Sequence, residues 1–242
     1  MDLGLNGKVT FVAGSSRGIG FAIARAFLLE GAKVVITGRH LNVLEEAKNA
    51  LAKEVNSDHL LSFQGDMSDL TSIKRALDET ANIFGGIDVV VANVGGGSAK
   101  GGWELDEDDW QLMLRTNFLS SMALASAALP YLIQNSGSLL FISSIAGLEA
   151  IDAPITYSAS KAALQSVVKN LSRLMGNHKV RVNSIAPGNI FFPGGTWERK
   201  LAERQEFFEQ YIQSEVPLRR FGRPEEVANA AVFLSSERAS FI

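Results

Sequence analysis

The chain has no cysteine among its 242 residues. That excludes disulfides, thiolate catalysis and cysteine metal sites, and it fits a reducing compartment. Histidine is scarce too: His40, His59 and His178 show no metal-ligand spacing, so no metal site is expected. Charge of neither sign dominates. A net charge of -3 gives no support for nucleic-acid binding or a membrane surface. No run approaches the ~20 apolar residues of a membrane span, and the residues from Met1 to Lys8 form no apolar signal segment. A soluble, cytoplasmic protein is the expectation. No linker, low-complexity tract or repeat divides the chain. Its 46% hydrophobic and 20% charged residues suit a single domain over 1–242.

What the chain does have is alternation. Short apolar, β-branched runs occur at Lys8–Ala13, Lys33–Thr37, Leu60–Gln64, Ile87–Asn93, Ser138–Ser143 and Val180–Ala186. Between them lie helical patterns at Ile19–Glu30, Asn42–Val55, Leu70–Phe84, Asp108–Leu132 and Tyr157–Met175. The strands lack polar alternation, as expected where both faces of a parallel sheet are covered. The pattern predicts an α/β, Rossmann-like, doubly wound parallel sheet with helices on both faces. After Pro187-Gly188 the character changes. An apolar, turn-rich stretch leads into an amphipathic helix from about Trp197 to Gln213. The segment at about 190–218 reads equally as a mobile substrate lid or as a surface helix packed on the core. Pro224-Glu225-Glu226 opens a last helix.

Val9–Ala13 runs into Gly14-Ser15-Ser16-Arg17-Gly18-Ile19-Gly20, a strand, tight turn and helix start. Glycines let backbone approach a pyrophosphate, and a helix N-terminus offers free N–H groups and the positive end of its dipole. The same residues fit G-x-S-x-G, the nucleophile elbow of α/β-hydrolases. That alternative fails on position: the elbow would follow the first strand, and only His178 lies late in the chain. Cofactor choice turns on the end of the second strand. An acid there would accept from a ribose 2′-hydroxyl, but this chain has Gly38-Arg39-His40. Arg39 and Arg17 suit a 2′-phosphate, so NADP(H) is the expected cofactor.

Tyr157 and Lys161 stand four residues apart in Tyr-Ser-Ala-Ser-Lys, on one face of a helix. A free phenol has a pKa of about 10. A cation beside it favours the phenolate, which makes the pair a usable acid/base. With Ser144 upstream and the glycine turn, these residues indicate a nicotinamide-dependent oxidoreductase. Ser143 and Ser144 are not separable by position alone.

At this point the chain resembles the short-chain dehydrogenase/reductase family over nearly its whole length. The matching residues are the glycine turn, Asp66, Asn93-Val94-Gly95, Asn117, Ser144, Tyr157, Lys161 and Pro187-Gly188. The resemblance implies that Ser144 hydrogen-bonds the substrate oxygen and that Tyr157 gives or takes the proton. Lys161 would lower the Tyr157 pKa and hold the nicotinamide ribose, and Asn117 would hold a relay water. Gly14, Ser16, Arg17, Gly18, Ile19, Gly20, Arg39, Asp66, Asn93, Gly95, Pro187, Gly188 and Ile190 would line the cofactor, with Asp66 at adenine. A homotetramer or homodimer is implied. The reaction implied is interconversion of a ketone and a secondary alcohol; a non-catalytic NADP(H)-binding sensor is the rival reading.

Three departures from the family pattern stand out. Ala13 replaces a threonine that commonly braces the Asn93 turn, and Val94 replaces an alanine; both are expected to loosen or reshape cofactor binding without removing a catalytic group. The sequence ends at Ile242, before the family's last edge strand. Many relatives reduce 3-oxoacyl groups on acyl carrier protein. The neighbourhoods expected to be basic for that carrier read Asn135-Ser136-Gly137-Ser138 and Gly176-Asn177-His178-Lys179, which disfavours it. Arg199, Lys200, Arg204, Arg219 and Arg220 are an alternative patch. Phe191-Phe192-Pro193-Gly194-Gly195-Thr196-Trp197 hints at an apolar or ring-bearing substrate.

Overall fold

All six apolar runs become parallel strands in the computed structural model, which describes residues Met1–Ile242. They are β1 (Val9–Val12), β2 (Lys33–Gly38), β3 (Leu60–Gln64), β4 (Val89–Ala92), β5 (Ser138–Ile142) and β6 (Arg181–Ile185). Eight helices accompany them: α1 (Gly18–Leu29), α2 (Leu41–Ala52), α3 (Leu70–Phe84), α4 (Glu107–Leu114), α5 (Ser120–Asn135), α6 (Ile155–Met175), α7 (Thr196–Glu215) and α8 (Pro224–Ser235). The sheet order is β3-β2-β1-β4-β5-β6.

The strand period of two explains why these runs are apolar throughout. Val12, Val89, Val91, Leu140 and Ile142 face a core shared with Ile23 and Phe27 of α1, Leu51 of α2 and Val232 of α8. Their neighbours Phe11, Val90, Ala92, Leu139 and Phe141 face the opposite core, against Leu77 of α3, Leu132 of α5 and Leu164 of α6. Each strand therefore feeds two cores at once. Chain direction reverses across the sheet between β1 and β4, which opens a crevice at their C-terminal ends. The glycine turn leaves β1 there, and Asn93-Val94-Gly95 leaves β4 beside it.

The helix expected over Asp108–Leu132 runs from Glu107 to Asn135, with a π-helical turn at Arg115–Leu119 in its middle. Contrary to the sequence expectation, this 29-residue rod is long and apolar enough to span a membrane by length and composition. Its hydropathy comes from alanine and leucine interspersed with serine, not from one apolar run. Leu124, Ala125, Ala128 and Leu132 are buried in the second core. At the edge of the sheet, β6 pairs with β5 alone.

Candidate active site and dinucleotide groove

The glycine turn is braced by residues distant in sequence. Gly14 N donates to Thr37 Oγ1 (2.9 Å), Ser15 Oγ donates to Val12 O (2.7 Å), and Thr37 N donates to Ser15 Oγ (2.8 Å). Asn93 Nδ2 donates to Gly14 O at 2.9 Å and reaches Ala13 O at 3.4 Å. The turn is therefore tied to β2 and β4 with an alanine at position 13. Neither Ser15 nor Thr37 was marked by sequence reasoning, because bracing of this kind crosses strands and has no local spacing.

Gly20 makes the closest approach. A Cβ there would lie 2.3 Å from Gly14 O and 2.5 Å from Asn93 Nδ2. Both atoms are fixed, so Gly20→Ala should destabilise the fold by about 1–3 kcal/mol and weaken dinucleotide binding. Thermal unfolding together with a binding titration checks both. An unchanged melting temperature with full binding would contradict this account of the turn.

A groove of about 570 Å³ runs along the crevice. Gly14, Ser16, Arg17, Ile19, Arg39, Asp66, Asn93 and Gly95 line it, as the sequence anticipated, while Gly18 and Gly20 sit beneath at the start of α1. Arg17 and Arg39 are exposed on its wall, and neither forms an ion pair with a carboxylate. Asp66 is the only acid lining the groove. Its Oδ1 accepts from Ser68 N (2.9 Å) and Ser68 Oγ (2.8 Å), while Asp69 caps α3 through Ser72 N (2.8 Å). The residues fit a dinucleotide: glycines where a side chain would fill the turn, a helix N-terminus, and unpaired guanidiniums at one end.

The reacting groups gather at the other end. Ser144 follows β5 and starts a short turn in which its Oγ accepts from Ala146 N at 3.2 Å. Gly147 lets that turn press on α6, since a Cβ there would lie 2.6 Å from the carbonyl carbon of Lys161. The two serines now differ: Ser143 Oγ donates to Lys161 O (3.4 Å), whereas the Ser144 hydroxyl is the neighbour that draws the Tyr157 phenol down. Burial pushes the Tyr157 phenol above its ordinary value, and the Ser144 hydrogen bond draws it partly back.

Lys161 is 4% exposed, and burial pulls its ammonium down to about 8. Its Nζ donates to Ile142 O (2.9 Å) and lies 5.9 Å from the centroid of the Tyr157 ring. The net direction at Tyr157 is upward, opposite to the lowering expected from Lys161, because desolvation is the largest cause. The ammonium lies toward the ring face and a strand carbonyl, so desolvation of the phenol dominates.

Asn117 is fully buried in the π-helical turn. Its Oδ1 accepts from Gly96 N (2.9 Å), and its Nδ2 donates to Gly96 O (3.2 Å) and Met113 O (3.3 Å). It thus clamps the loop after β4, and its observed work is positioning. Gly95 has φ +156°, and a Cβ there would lie 2.5 Å from Asn117 Oδ1. Asn93 likewise braces the glycine turn while lining the groove.

A second cavity of about 190 Å³ adjoins the groove and is lined by Ser144, Tyr157, Pro187, Gly188 and Ile190. Ile190 is fixed by its bridge to Gly222, with Phe191 N donating to Gly222 O at 2.9 Å. The third wall is the segment read as a lid or surface helix. α7 breaks at Arg204 (φ -149°, ψ 62°), which folds Phe208 back to 5.6 Å from Trp197. Phe192 was not singled out by sequence reasoning as a site residue. Its ring packs on Gly18 and forms a wall common to groove and cavity.

No hydrolase site forms around Ser16. His178 lies past the C-terminus of α6, at the opposite end of the sheet. Residues 135–138 and 176–179, considered for carrier docking, are at that far end as well.

Comparison with known proteins agrees with this geometry. A family model described as Enoyl-(Acyl carrier protein) reductase matches residues 13–242. The chain is 35% identical to a 3-oxoacyl-acyl-carrier-protein reductase of Aquifex aeolicus, covering 100% of this chain and 95% of that protein. It is 36% identical to the L-fucose dehydrogenase of Mus musculus, over 96% of this chain and 83% of the relative. The crystal structure of L-sorbose reductase from Gluconobacter frateurii, complexed with NADPH and L-sorbose, superposes with a TM-score of 0.92 at 31% identity. That match covers 100% of this chain and 94% of the other. The chain belongs to the short-chain dehydrogenase/reductase family of oxidoreductases.

Proposed function

We propose that the protein interconverts a ketone and a secondary alcohol using NADP(H). The observation that carries this reading is that Ser144 and Tyr157 line a small cavity adjoining the glycine-turn groove, with Lys161 buried behind the Tyr157 ring. When bound in the groove lined by Gly14, Arg17, Arg39 and Asn93, the dinucleotide would supply or accept a hydride at the carbinol carbon. Ser144 donates a hydrogen bond to the substrate oxygen, where charge develops during reduction. Tyr157 gives that oxygen its proton and regains one from solvent. The Lys161 ammonium, 5.9 Å from the Tyr157 ring centroid, favours the phenolate as the proton leaves, while desolvation sets the net upward direction of the phenol. In oxidation the same groups act in reverse.

The 2′-phosphate assignment rests on Arg17 and Arg39, with Gly38-Arg39-His40 in place of an acid after β2. NADPH in the L-sorbose reductase structure is consistent with it. Arg39→Asp should lower kcat/KM for NADPH about 10- to 100-fold while sparing or improving NADH. Steady-state rates with both cofactors measure this. Equal losses with NADPH and NADH would remove the assignment.

An acyl-carrier substrate gains little from the surface. Arg220 is paired with Glu226 (2.6 Å), Arg199 donates to Ser98 Oγ (3.0 Å), and Arg204 stacks on Phe207 at 4.1 Å. Each of these three cations is engaged within the chain.

A further inference from the structure

The 190 Å³ cavity beside Ser144 and Tyr157 holds one cation, Lys200. The side chain is half-buried, and no carboxylate lies within ion-pair distance of it. It is nevertheless held in place. Nζ lies 4.8 Å from the centroid of the Trp197 ring and 5.3 Å from that of Phe208. The break at Arg204 makes this possible, because it returns Phe208 to the first turn of α7. Trp197 is itself stacked on Tyr211 at 6.0 Å and tilted against Phe221 at 5.3 Å. An ammonium held by ring faces keeps its hydrogens available for an acceptor, and the apolar wall strengthens whatever charge it meets. The one acid of the cavity, Asp152, is exposed at its rim.

Size points the same way. The enclosed part of the cavity, near 190 Å³ or roughly six water molecules, suits a compact substrate. We infer that the substrate is a small oxo acid, or the matching hydroxy acid, whose carboxylate is received by Lys200 while its carbonyl lies between Ser144 and Tyr157. This rests on the ketone–alcohol reading above and adds the substrate class. In the step, the carbonyl carbon gains the hydride of NADPH, its oxygen gains the Tyr157 proton, and the carboxylate is unchanged. Lys200 sets specificity and takes no part in proton transfer.

The test compares matched pairs: 3-oxobutanoate and 4-oxopentanoate, each as free acid and as methyl ester, with NADPH. The wild type should favour the acids in kcat/KM by about 10- to 100-fold, as expected for one charge-assisted hydrogen bond in a sheltered site. The acid-to-ester ratio should collapse to near one in Lys200→Met and recover in Lys200→Arg. Recovery with arginine separates charge recognition from mere packing against Trp197. A wild-type enzyme that turns over esters or neutral polyketones as well as acids would overturn the assignment, as would an unchanged ratio in Lys200→Met. Absence of turnover with every ketone, and of the reverse reaction with the alcohols, would instead overturn the ketone–alcohol reading.

Discussion

Tyr157→Phe should lower turnover about 100- to 10,000-fold while dinucleotide affinity stays within about threefold, the range set by losing one positioned acid/base. Phenylalanine keeps the ring that packs beside Lys161 and removes only the hydroxyl that Ser144 hydrogen-bonds. The pKa direction gives the pH sign. Burial raises the phenol above its ordinary value, so Tyr157 holds its proton throughout the neutral range. Carbonyl reduction, which consumes that proton, should therefore persist through neutral pH and decline only on the alkaline side. Transient and steady-state rates of the variant, with a fluorescence titration of NADPH, separate chemistry from binding. A variant with wild-type rates would show that the proton comes from elsewhere.

The second large effect concerns stability. Lys161→Met should abolish turnover yet stabilise the fold at pH 7 by up to about 3 kcal/mol. Burial depresses the ammonium from 10.5 to about 8, and each unit corresponds to about 1.4 kcal/mol. The unfolded chain therefore binds the Lys161 proton more tightly than the folded one. Below pH 8 the penalty of holding a buried charge is fully present. Between pH 8 and 10.5 the unfolded state carries the extra proton, so wild-type stability rises with pH relative to the variant. Part of the gain is offset because Ile142 O loses its hydrogen bond from Nζ. Denaturant melts of both proteins at pH 7 and near pH 10 read the difference directly. A variant less stable at pH 7, with a gap that does not narrow on alkalinisation, would contradict the account. The site then holds its lysine at a cost to the fold, as functional groups often do.

Local signals were legible where one element carries them. The strands, with their apolar residues on both faces, and the turn from Gly14 to Gly20 fixed the architecture and the crevice. Tyr157 and Lys161 share one helix, so their spacing found them. Features that depend on contact between distant segments were not legible. Ser15 and Thr37 brace the glycine turn across β1 and β2, which no local pattern reveals. The π-helical turn that carries Asn117 preserves the apolar face on either side, so periodicity read it as ordinary helix. The break at Arg204 is likewise hidden within an amphipathic pattern, yet it brings Trp197, Lys200 and Phe208 together. Resemblance named residues, and the structure adds the contacts they make within the chain. Asn93 and Asn117 hydrogen-bond backbone, and the Lys161 ammonium donates to Ile142 O and lies over the Tyr157 ring.

The most direct test of the central claim follows the hydride. NADPH deuterated at its transferable position would be incubated with the oxo acids and their esters, and the alcohol products examined by mass spectrometry. The account predicts one deuterium, on the carbinol carbon, formed by the wild type and not by Tyr157→Phe. Alcohol lacking deuterium, or no alcohol from a protein that binds NADPH tightly, would contradict it.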